Sequence, residues 1–394
     1  DPPVSCYIGL MLNPFSTCGM HAVPVTLDDI AKASRVSKGA VSQVLNNPEH
    51  PRFAPATRRR ILKAAQRLEY TPNRVASGLR RGWSDAISLV LPFNTPELLD
   101  VAQQTANAHN HTLTVQCTFQ PDVAAERRAL EMALEHQAAG LIWQPTGQAS
   151  DYGSILPRLA RSRTRVVLLE RGEDILPDAD VVFHDTQRAA EEAISHLQAA
   201  GYRTRIFVSR MERYVLGRVR QAQFKQAAAG RDAVLCCPLE QMPTRLREAL
   251  DTATAPVGLY VDGDWTAMAM AESVEQLGLK IGRDVGLLML GDMLIGNRYR
   301  LGEMTRPTLS AMQRQQAPLA ERCVTRLIDR IAADPAEQPA PMRIPIRPEL
   351  VPRQSTDRTV EPKGELRFGW LGAAAGAAIH PTPSVPGERS SGEC

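Results

Sequence analysis

The stretch VTLDDIAKASRVSKGAVSQVLNN, residues 25–47, decides how this chain is read. Thr26 followed three positions later by Asp29 has the form of a helix start in which each residue satisfies the other's free backbone N–H. Ile30, Ala33 and Val36 then recur at helical spacing. A break at Ser34–Val36 leads to Ser37, a residue type that caps helices. Ala40, Val41, Val44 and Leu45 supply a second apolar stripe. Beyond the loop NNPEHPRFAP (46–55), the segment TRRRILKAAQRLEY (57–70) sets Ile61, Leu62, Ala65 and Leu68 on one face of a third helix. Three short helices joined by a tight turn and then a loop predict an all-α helix-turn-helix module over residues 25–71.

The charge supports a nucleic-acid partner. The whole chain of 394 residues carries a net charge of only +3, yet between Val25 and Trp83 twelve Lys and Arg face four Asp and Glu. That segment is therefore +8 and the remainder −5. A basic module on a mildly acidic body grips a polyanion with one part only. In a helix-turn-helix the second helix enters the major groove, so Ser37, Lys38, Gly39, Ser42 and Gln43 are candidate readers of base edges. Lys38 suits guanine O6 or N7, and Gln43 suits adenine. Thr26, Ser37, Asn46 and Thr57, with the Arg58–Arg60 run, are placed for phosphates. The plainer alternative is a small helical cap whose charges are merely solvated.

Thr71–Pro72 ends the module. The basic piece NRVASGLRRGW (73–83) starts on a capping Asn73 and is too short to hold a helix alone in water, so it is expected to order only when docked. From Ala86 onward apolar runs alternate with amphipathic stretches. The strand candidates are AISLVLP, LTVQCTF, GLIWQP, RVVLLE, DVVFHD, RIFVSR, VGLYVD and VGLLMLGD. Between them lie helical stretches such as ELLDVAQQTANAH and TAMAMAESVEQLG. This alternation predicts an α/β body with parallel sheets, in two lobes. The tail, rich in Gly, Ala, Pro and Ser, reads as disordered.

Composition is that of a water-soluble chain, 43% hydrophobic and 23% charged, with no apolar run long enough to span a membrane. Seven cysteines without a CxxC pair argue against a disulfide framework and for a reducing, cytoplasmic setting. The apolar run CYIGLMLNPF lacks a basic lead and a clear cleavage site. Residues 1–24 are therefore expected to be an unstructured extension, with Met20 a candidate natural start. No Walker loop, GxSxG elbow, HExxH or metal-spaced cluster is present, so no enzyme, catalytic residue, metal or cofactor is expected. His109 and His111 read as surface residues, and His184 beside Asp185 has no nucleophile to serve.

The stretch already quoted, followed by TRRRILKAAQRLEYTPNRVASGL, resembles the DNA-binding module of the LacI/GalR family of bacterial transcription regulators. The helices, the Tyr70–Pro72–Asn73 junction and the short basic segment occur in the family's order. The loop before Thr57 leans toward the family's fructose-repressor branch. The resemblance implies a repressor that binds a pseudo-palindromic operator as a homodimer. It also implies a hinge helix over 72–84 with Asn73, Arg74, Ala76 and Leu79 at the DNA, Leu79 wedging into the minor groove. Arg35 stands in a turn slot where the family often has Gly, and Ala54 where a capping Ser is usual. Gly78 beside Leu79 weakens the hinge helix.

By the same resemblance, residues 85–355 form a two-lobed, dimerising, periplasmic-binding-protein-like core, followed by a tail over 356–394. Asn94, Arg171, Asp185, Arg218, Asp264 and Asp292 are then the effector-binding candidates. Carboxylates accept from sugar hydroxyls, and the arginines pair with hydroxyls or a phosphate, so a sugar or sugar phosphate is the expected effector. Each taken singly could equally be a solvated loop charge. Residues 357–394 show no leucine heptads, so a dimer is expected rather than a larger assembly. An exported two-lobed solute-binding protein is the alternative for the core, and it would leave the basic module without a role.

Overall fold

The computed structural model describes residues 25–71, 84–118, 121–172, 174–210, 215–228, 232–296, 298–334 and 337–359, apart from the side chain of Asn46. The chain divides into two units, Asp1–Ser77 and Gly78–Cys394.

In the first unit the helices are α1 (Leu27–Ser34), α2 (Lys38–Asn46) and α3 (Pro55–Arg67). Thr26 and Asp29 form the reciprocal cap: the Thr26 N–H donates to Asp29 Oδ2 at 2.9 Å, and the Asp29 N–H donates to Thr26 Oγ1 at 3.4 Å. The Thr26 N–H and, at 2.7 Å, the Thr26 hydroxyl both donate to Asp29 Oδ2 and hold that carboxyl below its ordinary range. Ser37 caps α2 through the Ala40 N–H at 3.2 Å. Arg35 takes the left-handed turn conformation, φ 52° and ψ 47°, and α3 begins at Ala54 with no side-chain cap. Ile30, Ala31, Val41, Val44, Ile61, Ala64 and Ala65 form the core. Two expected core positions differ: Ala33 and Leu62 face solvent, while Ser34 is buried because its hydroxyl donates to the Ile30 carbonyl at 2.6 Å.

The second unit begins with β1 (Ala86–Leu91), α4 (Pro96–Ala108), β2 (Thr112–Cys117), α5 (Val123–Glu135) and β3 (Gly140–Trp143). Next come α6 (Ala149–Tyr152), α7 (Ile155–Arg161), β4 (Arg165–Leu169) and β5 (Asp180–His184). The chain then crosses by α8 (Thr186–Ala199) into β6 (Thr204–Ser209), α9 (Val215–Ala227), β7 (Ala233–Cys236) and α10 (Met242–Thr252). It continues with β8 (Val257–Asp262), α11 (Asp264–Gln276) and β9 (Val285–Gly291). A small hairpin, β10 (Leu294–Ile295) and β11 (Tyr299–Arg300), precedes β12 (Ser310–Gln313), α12 (Gln316–Ala332), β13 (Arg343–Ile346) and β14 (Glu349–Val351).

Two six-stranded sheets result, ordered β13-β5-β4-β3-β1-β2 and β14-β12-β9-β8-β6-β7. All neighbours run parallel except β12 and β14. Each lobe thus repeats a doubly wound order with a switch between its first and third strands, where ligands collect at the strands' carboxyl ends. The expected strands are all present. Short AVLC, SAMQ and RIPI, which become β7, β12 and β13, give no such sequence signal, since β7 and β13 lie at or near sheet edges and carry little alternation. The helix α12 returns the chain to the first lobe and packs Leu319, Cys323, Val324 and Leu327 beneath its sheet. Gly140 permits that approach, because a Cβ there would stand 2.6 Å from the Leu327 side chain.

Candidate nucleic-acid interface and effector cleft

Val41 and Val44 turn inward, and this leaves Lys38, Gly39 and Gln43 on the exposed face of α2 with Ser42 half-buried beside them. Gly39 presents open space, since a Cβ there would meet only Ser37 Oγ, at 4.0 Å. Thr26 and Ser37 are exposed and Thr57 half-buried at their helix starts, while Asn46 closes α2. The arginine run is divided in its duties. Arg58 donates to the Phe53 carbonyl at 3.0 Å and pairs with Glu49 at 3.1 Å, and Arg60 donates to the Ser34 carbonyl at 2.8 Å. Arg59 is exposed and makes no such bond among the described residues. The candidate hinge residues Asn73, Arg74, Ala76 and Leu79 lie outside the described residues.

In the second unit a cavity of about 470 Å³ opens where the strand ends of both lobes converge. Asn94, Glu97, Gln144 and Glu170 line it from the first lobe, and Arg210, Asp264, Trp265, Asp292 and Arg314 from the second. Of the six effector candidates, the fold therefore brings together Asn94, Asp264 and Asp292. Asp264 organises the wall, its Oδ1 accepting from the N–H groups of Asp292 at 2.6 Å and Met293 at 2.8 Å. Gly291 allows this, since a Cβ there would stand 2.6 Å from Asp264 Oδ1. The Asp292 carboxylate turns to the Gly302 N–H at 2.9 Å and Arg353 at 2.6 Å, and burial pushes its carboxyl upward against those two partners.

The other three candidates do not line the cavity. Arg171 donates to the Gly147 carbonyl at 2.6 Å and pairs with Asp174. Asp185 caps α8 through the Arg188 N–H at 3.1 Å. Arg218 stands on the exposed face of α9.

Several further groups gather around Glu170 and Arg314 of the cleft wall. Arg220 is buried and donates to Asp262 Oδ1 at 2.8 Å. Glu170 accepts from His184 Nδ1 at 2.7 Å. Burial alone would raise the Glu170 carboxyl, but the charges of His184, Arg220 and Arg314 hold it at about 2. Burial works against the Arg220 charge too, and Asp262 and Glu170 outweigh it, raising its pKa. Burial pushes the Tyr260 phenol well upward. Among the described residues, His184 Nε2, Arg220 Nε and Nη2, Tyr260 OH, Asp262 Oδ2, Thr266 Oγ1 and Arg314 Nε are buried and bonded to no protein group. Each such atom costs about 1–3 kcal/mol unless something polar meets it. Trp265, 61% exposed, offers a flat apolar face on the same wall.

A helix-turn-helix unit together with a two-lobed core of doubly wound sheets, open at the strand ends, defines a DNA-binding regulator with a small-molecule cleft. Residues 26–73 match the bacterial regulatory proteins of the lacI family, and residues 194–356 match the periplasmic binding protein-like domain. The chain is 26% identical to the HTH-type transcriptional regulator PtxS of Pseudomonas aeruginosa over 346 residues, 84% of this chain and 96% of that protein. It is 24% identical to the HTH-type transcriptional regulator DegA of Bacillus subtilis, over 84% of this chain and 98% of that protein. Among solved structures, the lac repressor dimer bound to operator and the anti-inducer ONPF shares the fold with a TM-score of 0.69 at 19% identity, covering 85% of this chain and all of that one, 100%. The transcriptional regulator CelR in complex with cellobiose matches with a TM-score of 0.58 at 18% identity, over 84% of this chain and 99% of that one. The chain thus joins a DNA-binding domain of the lacI family to a periplasmic binding protein-like domain and is a DNA-binding transcriptional regulator.

Proposed function

We propose that this regulator binds a pseudo-palindromic operator as a homodimer, represses transcription there, and is controlled by a sugar or sugar phosphate held between its lobes. It acts in the cytoplasm, where the operator is. Lys38, Gly39, Ser42 and Gln43 read the major groove, Thr26, Ser37, Asn46 and Thr57 meet phosphates, and Asn73, Arg74, Ala76 and Leu79 complete the contact at the hinge. The observation that carries the effector reading is the cleft wall, where exposed Trp265 stands beside Asp264 and the buried, unbonded Thr266 Oγ1 and Arg314 Nε. A sugar matches that surface, with an apolar ring face for the indole and hydroxyls for the polar groups. The relation to CelR, which is complexed with cellobiose, supports the same class. Arg210 and Arg314 on the wall would also accommodate a phosphate.

Titration calorimetry with matched panels of neutral sugars and sugar phosphates tests the cleft. Heat of binding that disappears in Trp265→Ala is expected, and no heat from either panel would overturn the reading. Gel shifts at two salt concentrations test the DNA side, because phosphate contacts make affinity fall steeply with salt.

A further inference from the structure

Lys38, the first residue of α2, donates to Asp28 Oδ2 on α1 at 2.6 Å, and both side chains are about half exposed, 54% and 53%. Of the other described acids of this unit, Asp29 closes the cap with Thr26, Glu49 pairs with Arg58, and Glu69 lies just past the end of α3. Asp28 is the carboxylate paired with the first residue of the reading helix, and Lys32 and Arg35 line a shallow groove with it.

An exposed ion pair of this kind adds little to stability, so its weight lies in what it does to the ammonium. A lysine is a compact charge on a flexible stem, and any phosphate satisfies it. Such contacts supply essentially all non-specific DNA affinity. A phosphate approaching Lys38 here must also approach the Asp28 carboxylate, and the two anions repel. A guanine edge offers two neutral acceptors side by side, O6 and N7, and meets no such repulsion.

We propose that Asp28 is a specificity-determining residue that acts through Lys38, withholding its ammonium from phosphates and reserving it for a guanine in each half-site. The inference rests on the DNA-binding assignment and adds to it a residue whose negative charge improves discrimination by weakening the wrong complexes. The Asp28→Asn variant should bind DNA more tightly and less selectively.

The test uses the full chain, an operator enriched by the wild-type protein from random duplexes, and a scrambled duplex of equal length, with anisotropy read across a salt series. Asp28→Asn is expected to tighten binding to the scrambled duplex roughly tenfold while leaving operator affinity within about twofold. Its dependence of log K on log salt should steepen by about 0.9, the signature of one added phosphate contact. In a Lys38→Met background the same change should leave the slope unaltered, and Asp28→Glu should behave as wild type. Operators re-selected by Asp28→Asn should lose a guanine preference at one position per half-site.

An unchanged slope in Asp28→Asn would overturn the proposal. So would an equal gain in affinity with Lys38 absent, which would mean simple repulsion by Asp28. A wild-type protein that enriches no operator would overturn the DNA assignment as well. Both side chains are exposed, so thermal melts of all four variants should coincide within a few degrees (about 1 kcal/mol or less).

Discussion

Arg220 donates to Asp262 across 2.8 Å with both side chains shut off from water, while Arg218, two residues back on the same helix, stands exposed. The buried pair sits beside Glu170 and Arg314, which line the cleft, and Arg220 keeps two further nitrogens unbonded to protein. Removing only one partner strands a buried charge. Arg220→Met is therefore expected to destabilise the chain by about 3–5 kcal/mol in urea unfolding and to abolish effector binding. Pairing it with Asp262→Leu should recover part of the stability but none of the binding. Arg218→Met should leave both measurements at wild-type values, and a loss of effector binding there would refute this division of roles.

That pair also shows where the sequence stops being readable. The helix-turn-helix was legible because its signals are local: Thr26 with Asp29, Ser37 before its helix, and a turn slot at Arg35 all lie within a few residues of what they bond. The cleft is assembled from strand ends far apart in the chain. Asn94, Asp264 and Asp292 are placed by resemblance to the family, each just past a strand. Arg171 and Asp185 stand just past such strands too and do not line the cavity. Arg314 follows the short strand β12, and Glu170 gains its setting only when His184 and Arg220 arrive from other elements. For the arginines of α9 a signal did exist. Gly217, Arg220 and Phe224 are all buried, and their spacing of three and four puts Arg220, not Arg218, on the inward face.

Glu170 gives an acid-limb prediction with a definite sign. Its carboxyl stands at about 2 in the folded chain against an ordinary 4.5. A carboxyl lowered on folding contributes stability that is complete above the unfolded value and is lost as pH falls through the folded one. The wild-type chain should therefore lose stability between about 4.5 and about 2 more steeply than Glu170→Gln. Asp180 and Asp284 are also lowered and act in both proteins, so the difference between the two curves is the quantity to read. Urea midpoints across that window check it, and parallel curves would exclude the assignment.

Arg35 holds φ 52° and ψ 47° while its N–H reaches back to the carbonyls of Ala31 and Lys32. A side chain in that conformation costs about 1–2 kcal/mol that glycine avoids, offset in part by glycine's freer unfolded state. Arg35→Gly should accordingly stabilise the helix-turn-helix by roughly 0.5–1 kcal/mol. Slower amide exchange across α1 and α2 in the full chain would register the gain. Non-specific DNA affinity should fall at the same time, because a cation has left the basic face. Faster exchange would mean that the arginine makes compensating contacts of greater value.

Arg300, on the β10–β11 hairpin of the second lobe, meets Glu97 on α4 of the first at 2.9 and 3.2 Å, and also donates to the Asp292 carbonyl at 3.2 Å. Glu97 lines the cleft, so this fork joins the lobes at the edge of the site. Both side chains are largely covered, and a two-bond guanidinium–carboxylate contact in such a setting couples by about 1 kcal/mol. Glu97→Gln and Arg300→Met should each loosen the closed arrangement, and the double variant should be no looser than either alone. With any sugar that binds the cleft, dissociation should quicken roughly fivefold in each single variant, the kinetic equivalent of that coupling. Association should change little, because the pair holds the lobes together after entry and does not steer the ligand. Independent, additive effects in the cycle would mean that the two residues act on the site separately and that the fork joins nothing.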